Sequence, residues 1–107
     1  MTDTDSTCLT NKNEQLKIHA DEATLQLKAL ANANRLMIMC SLAESELSVG
    51  ELNQKIDLSQ SALSQHLAKL REDGLVTTRR DSQTIYYRLR DGVAKNIINT
   101  LHDFYCA

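Results

Sequence analysis

The sequence predicts a mainly α fold with one β-hairpin, in the order α-α-α-α-β-β-α. Three observations carry that expectation. Apolar residues recur at helical spacing from Asn13 to Ala43 and again from Val49 to Leu70. The period then drops to two in Leu75–Arg80 and Thr84–Arg90, runs rich in β-branched and aromatic residues. Helical spacing returns after Asp91 and lasts to the end of the chain.

Residues 1–12 are polar and are expected to form a disordered tail, leaving 13–107 as a single domain. From Asn13, Leu16, Ala20, Ala23, Leu27 and Leu30 fall at near-heptad spacing, a narrow stripe suited to a core face or to a helix–helix seam between subunits. Asn32-Ala33-Asn34 interrupts it. Arg35 to Ala43 reads as a helix apolar nearly all round, which belongs at the centre of the domain. Ser48, with Glu51 three residues on, is a capping box for a third helix that turns Val49, Leu52 and Ile56 inward.

Ile56 to Gly74 is the stretch around which the rest is arranged. Asp57-Leu58-Ser59 breaks the third helix, and the Ser59 hydroxyl suits an N-cap. Leu63, Leu67 and Leu70 then form an apolar stripe, and Gly74 closes the helix at C′. Another face carries Ser61, Ser64, Gln65 and Ala68, with Gln60 in the first turn and no acid before Glu72. Short polar groups of this kind suit a helix pressed against a polar, negative surface. After Gly74 a β-hairpin follows around Asp81-Ser82-Gln83, with a basic tip and with Tyr86 and Tyr87 pointing to opposite sides. Asp91 is expected to cap a last helix with Val93, Ile97, Ile98, Leu101 and Phe104 or Tyr105 on its apolar side. The whole reads as a winged helix-turn-helix bracketed by its first and last helices.

Charge supports a nucleic-acid partner by its distribution and not by its total. The chain has 107 residues and a net charge of −2, with 12 basic and 14 acidic side chains. Within 59–90, Lys69, Arg71, Arg79, Arg80, Arg88 and Arg90 outnumber Glu72, Asp73 and Asp81, so the positive charge gathers where the recognition element lies. Gln60, Gln65, Ser61 and Ser64 are the candidates for base or phosphate contact, and Arg79 and Arg80 for phosphates or the minor groove. Arg88 and Arg90 are candidates to pair with local acids. His66 flanks the leucine stripe and reads as a packing or hydrogen-bonding residue before a DNA contact. His19 and His102 read as surface or seam residues. The start, M-T-D-T-D-S-T-C, lacks a signal peptide's basic and apolar regions, and no apolar run is long enough to cross a membrane, so a cytoplasmic protein is expected.

L-K-A-L-A-N-A-N-R-L-M-I-M-C (27–40), E-L-S-V-G-E-L (46–52), L-S-Q-S-A-L-S-Q-H-L-A-K-L-R-E-D-G-L-V (58–76) and Y-Y-R-L (86–89) together resemble the ArsR/SmtB family of transcriptional repressors. The resemblance spans roughly residues 16–106. It implies a homodimer paired through the first and last helices and bound to a palindromic operator. It also allows the family's metal sites to be tested position by position. The arsenic-type site resembles a Cys-x-Cys where this chain has Ser48-Val49-Gly50, and the cadmium-type site needs the same pair plus N-terminal cysteines, where only Cys8 stands. The zinc-type site needs an early His in the last helix, where Asp91 is followed by Gly92-Val93, and His102 stands alone. No metal and no cofactor are therefore expected.

Cys40 and Cys106 remain. Taken alone, Cys40 reads as a small core residue. The placement of the two cysteines, M-C near the end of the second helix and Y-C at the chain's end, resembles the HlyU/BigR/SqrR/YgaV group, whose cysteines respond to persulfides, polysulfides or oxidants. The resemblance implies that Cys40 and Cys106 are the sensing pair, that reduced protein binds DNA and that linking the thiols releases it. The alternatives are a metal-responsive repressor of the same fold, using Cys40, Cys106 and a His, and an antirepressor that displaces another DNA-bound protein. A small thiol enzyme is a further alternative. The absence of C-x-x-C, and of a basic neighbour to either cysteine, argues against an enzyme.

Overall fold

The computed structural model describes the backbone of residues 3–106 and the side chains of residues 13–105. The elements follow the order α1 (Asp3–Leu30), α2 (Ala33–Glu44), β1 (Leu47–Ser48), α3 (Val49–Lys55), α4 (Gln60–Glu72), β2 (Val76–Asp81), β3 (Thr84–Leu89) and α5 (Val93–Cys106). This is the expected winged helix-turn-helix with one addition, the short strand β1. It pairs antiparallel with β3, giving a sheet of order β1-β3-β2. α1 begins at Asp3, well before the expected start at Asn13. The side chains of residues 1–12 lie outside the described residues, and so does the expected domain boundary there.

The local chemistry explains where each element stops. The interruption at Asn32 is a cap: its side chain accepts from the backbone N–H groups of Asn34 and Arg35 and starts α2. Ser48 and Glu51 form the expected capping box, with bonds of 3.2 and 2.9 Å. Ser59 accepts from Ala62 N–H at the start of α4. α4 ends in a Schellman motif: Gly74 N–H donates to Arg71 and Leu75 N–H to Leu70. Gly74 has φ +76° there, the left-handed value that glycine takes without strain. The hairpin turn places Ser82 at φ 59°, the sign that the tight primed turns require.

Ile38 and Met39 of α2, Leu52 of α3, Leu63, Leu67 and Leu70 of α4 and Ile98 of α5 are wholly buried and form the centre of the core. α2 is central, yet it is not covered all round: Met37 is 46% exposed. Three expectations for α5 need correction. Asp91 is not its cap. The first helical bond runs from Asn96 N–H to Gly92 C=O, and the Asp91 carboxylate instead accepts from Lys95 Nζ at 2.9 Å. That bond and the Lys95 charge hold the Asp91 carboxyl below the usual carboxylate range. Val93 points outward, 56% exposed, because Ala94 and Ile98 take the inward positions. Phe104 and Tyr105 are also outside, edge to face against each other.

The described part of α1 has few partners within the chain. All side chains from Asn13 to Ala20 are exposed, and only Ala29 and Leu30 reach the core. The radius of gyration, 17.6 Å, exceeds the ~13 Å of a compact domain of this length, as a helix projecting from the body requires. No helix among the described residues is long and apolar enough to cross a membrane.

Two glycines give opposite expectations. A Cβ at Gly74 meets only ordinary contact with Arg90, so Gly74→Ala costs the left-handed strain, about 1–2 kcal/mol. At Gly50, in the first turn of α3, a Cβ meets only ordinary contact with Ser48 Oγ at 3.9 Å, so Gly50→Ala is neutral or stabilises by up to about 1 kcal/mol. Denaturant midpoints at a fixed protein concentration, with unchanged slopes, check both signs.

Candidate nucleic-acid interface

The site starts with the packing of α4. Leu63, Leu67 and Leu70 have no solvent exposure, so the helix cannot rotate about its axis without uncovering one of them. Gln60, Ser61, Ser64, Gln65 and Ala68 are consequently all exposed. At about 100° per residue they share one arc of roughly 140°. Arg71 falls within that arc one turn further on and is exposed, a basic group that the motif alone did not single out. His66 is half-buried, as a residue beside the leucine stripe should be.

The angle between α3 and α4 is held by the turn. Asn53 Nδ2 donates to the Leu58 carbonyl at 2.7 Å, and Leu58 N–H donates to Ile56 C=O. Leu58 itself packs against the core. Asn53 was not a sequence candidate, because an Asn inside a polar helix face gives no sign of a bond made five residues later.

The wing separates Arg79 from Arg80. Arg79 lies opposite Tyr86, and Arg80 opposite Ile85. Adjacent strand residues point to opposite faces, so the two cations diverge. On the outer face, Arg79 Nε donates to Glu46 Oε1 at 2.7 Å, and its guanidinium carbon sits 4.6 Å from the Tyr86 ring centroid. Arg79 remains 54% exposed, and one of its five N–H donors is taken. Arg80 is exposed on the face that Tyr87 continues into the core. Tyr86 and Tyr87 thus divide as the alternation predicts. Arg88 Nε donates to Thr77 Oγ1 across the hairpin at 3.3 Å, and its charge also favours the ionised Asp91 carboxylate, a local acid.

Of the cysteines, Cys40 is half-buried on α2 and packs against the core. Cys106 is the last residue of α5 and Cys8 lies in α1, but both side chains are outside the described residues. α2 and α5 pack together, and His102 Nε2 on α5 lies 3.5 Å from Glu44 Oε2 on α2. Cys40 is one turn before Glu44, and Cys106 one turn after His102. Among the described residues no group of three or more His, Cys, Asp or Glu is placed to hold a metal ion.

Comparison with known proteins gives this arrangement a context. Residues 32–78, from the cap of α2 to the start of the wing, match the family described as "Bacterial regulatory protein, arsR family". The chain is 50% identical over 93 residues to the transcriptional activator HlyU of Vibrio cholerae, covering 87% of this chain and 86% of that one. It is 45% identical over 94 residues to a biofilm growth-associated repressor of Xylella fastidiosa, covering 88% of this chain and 82% of that one. The solved structure of reduced HlyU from V. cholerae superposes with a TM-score of 0.82, at 50% identity, over 88% of this chain and 99% of that one. A capped helix-turn-helix, a basic wing and identity of this extent lead to one conclusion: the chain belongs to the arsR family of bacterial regulatory proteins and is a DNA-binding transcriptional regulator with a winged helix-turn-helix.

Proposed function

We propose that this protein is a homodimeric repressor that binds a palindromic operator when reduced and leaves it when Cys40 and Cys106 are linked. The observation that carries the DNA half is the exposed arc of α4, held in place by three wholly buried leucines. Gln60 and Gln65 offer amide groups to base edges, Ser61 and Ser64 offer hydroxyls, and Arg80 and Arg79 reach phosphates from the two faces of the wing. The apolar residues left outside support the dimer. Leu16, Ile18 and Leu27 of α1 and Val93, Phe104 and Tyr105 of α5 are each more than half exposed in the single chain. A two-fold pair places two α4 helices against two half-sites, which is the reason for a palindromic operator.

The thiol half rests on the place of Cys40 in the α2–α5 packing. The Glu44–His102 contact is one turn from each cysteine-bearing turn, and reduced HlyU is a solved relative. With a persulfide donor, one thiolate attacks the outer sulfur of R–S–SH, forming a cysteine persulfide and releasing RS⁻. The second thiolate then attacks the inner sulfur, forming the Cys40–Cys106 disulfide and expelling HS⁻. A longer polysulfide leaves additional sulfur in the bridge. With peroxide the first product is a sulfenic acid, and the second thiol displaces water. Either link ties α5, a seam helix, to α2 of the core. A ligand or a modification releases DNA only when it favours the state that binds DNA less well. The spacing of the two α4 helices is the property that differs between the states.

A second reading is favoured by one relative. HlyU is described as an activator, whereas the X. fastidiosa protein is described as a repressor. In that reading the same DNA binding displaces another DNA-bound protein and raises transcription.

Two substitutions test the proposal. Gln60→Ala weakens operator binding by about 1–3 kcal/mol, or roughly 5- to 150-fold, and leaves random-sequence binding unchanged in a mobility-shift titration. An equal loss on both DNAs makes Gln60 a backbone contact. Cys106→Ser retains operator affinity and loses release by polysulfide. Continued release of that variant, or release of the wild type by stoichiometric zinc with unmodified thiols in mass spectra, overturns the thiol mechanism.

A further inference from the structure

We propose that the cleft between α1, α2 and the last turn of α4 binds a small organic acid: a carboxylate carried on an apolar body of a few carbons. The cleft has a volume of about 390 Å³, within the range of small-molecule sites. Its polar lining is unbalanced. Lys28, Arg35 and Lys69 line it, against one acid, Asp73. That acid is engaged by Lys69 at 3.5 Å. Arg35 Nε is buried and meets no hydrogen-bond acceptor among the described residues. The two terminal nitrogens of a guanidinium also present N–H groups in parallel, the geometry that a carboxylate accepts with two oxygens. Apart from Gln26, the remaining walls are apolar. Ala29 and Leu75 are buried in the floor, and Leu25 stands exposed at the rim. A head group for Arg35 and a short hydrocarbon body for these walls are therefore the complementary chemistry.

The charge disfavours a metal ion or an organic cation. DNA is disfavoured by position, because Lys69 and Asp73 lie outside the arc of α4 that carries Gln60, Ser61, Ser64 and Gln65. The site is distinct from the cysteines and from the exposed faces of α5.

Calorimetric titration of the full-length reduced protein with octanoate, octanol and inorganic phosphate tests the assignment. Octanoate is expected to bind saturably, and neither octanol (tail without charge) nor phosphate (charge without tail) to match it. Arg35→Gln is expected to weaken octanoate at least about tenfold. Lys28→Glu changes an exposed rim residue without touching the core, so it gives the same sign of effect even where Arg35→Gln fails to fold. Octanoate affinity unchanged in Lys28→Glu and in folded Arg35→Gln overturns the proposal. So does octanol binding as tightly, which marks a general apolar patch, or phosphate binding as tightly, which marks a bare anion site. A shallower salt dependence of random-sequence DNA binding in Arg35→Gln or Lys28→Glu assigns the cations to the DNA backbone and also overturns it.

Discussion

The rotation of α4 about its own axis is the constraint on which the rest depends. Leu63, Leu67 and Leu70 are fully buried, and exposing one of them costs about 1.5–3 kcal/mol. That cost is large beside the few kcal/mol by which a domain of this size is stable. The polar arc therefore has one orientation. The ends of the helix are fixed as firmly as its roll, by Ser59 at one side and by the Gly74 Schellman motif at the other. The DNA-reading role proposed for this arc of short side chains needs such support, because Ser and Ala cannot reach far to correct a misplaced helix.

The same chain carries two kinds of apolar surface, and they have different meanings. The core cluster is closed and holds the helix-turn-helix and the sheet root together. The faces of α1 and α5 are left open, with Leu16 66% and Phe104 78% exposed. In a chain with so few aromatic residues, placing its single Phe outside the core is a large loss unless another surface covers it. The proposed dimer would supply that cover.

Much of this was legible in the residues. The caps at Ser48 and Ser59, the glycine at 74 and the change of period after Leu75 mark local events, and local chemistry is what a sequence displays. The features that were not legible are all products of tertiary contact. β1 is two residues long and has no periodicity to read. Glu46 and Arg79 are 33 positions apart, so nothing near Arg79 announces the carboxylate that engages it. Asp91 matched an N-cap by type, but Lys95 one turn later offered its carboxylate a charged partner. Val93 matched an apolar stripe by spacing, yet α2 covers the face of α5 centred on Ile98. In the candidate interface the α4 residues followed from periodicity alone. The divergence of Arg79 and Arg80 needed the strand register.

Ser48 belongs to two elements at once. Its backbone pairs with Tyr86 at the edge of the sheet, and its hydroxyl holds the first turn of α3. Two residues before it, Glu46 grips the arginine stacked on that same tyrosine. No loop separates sheet from helix at this joint, so there is no slack to absorb a movement. A tilt of the wing is transmitted to α3 as by a rigid crank, and a shift of α3 swings the wing tip. The hairpin and the helix-turn-helix therefore approach a double helix as one tool with two edges, not as a hand with a separate finger.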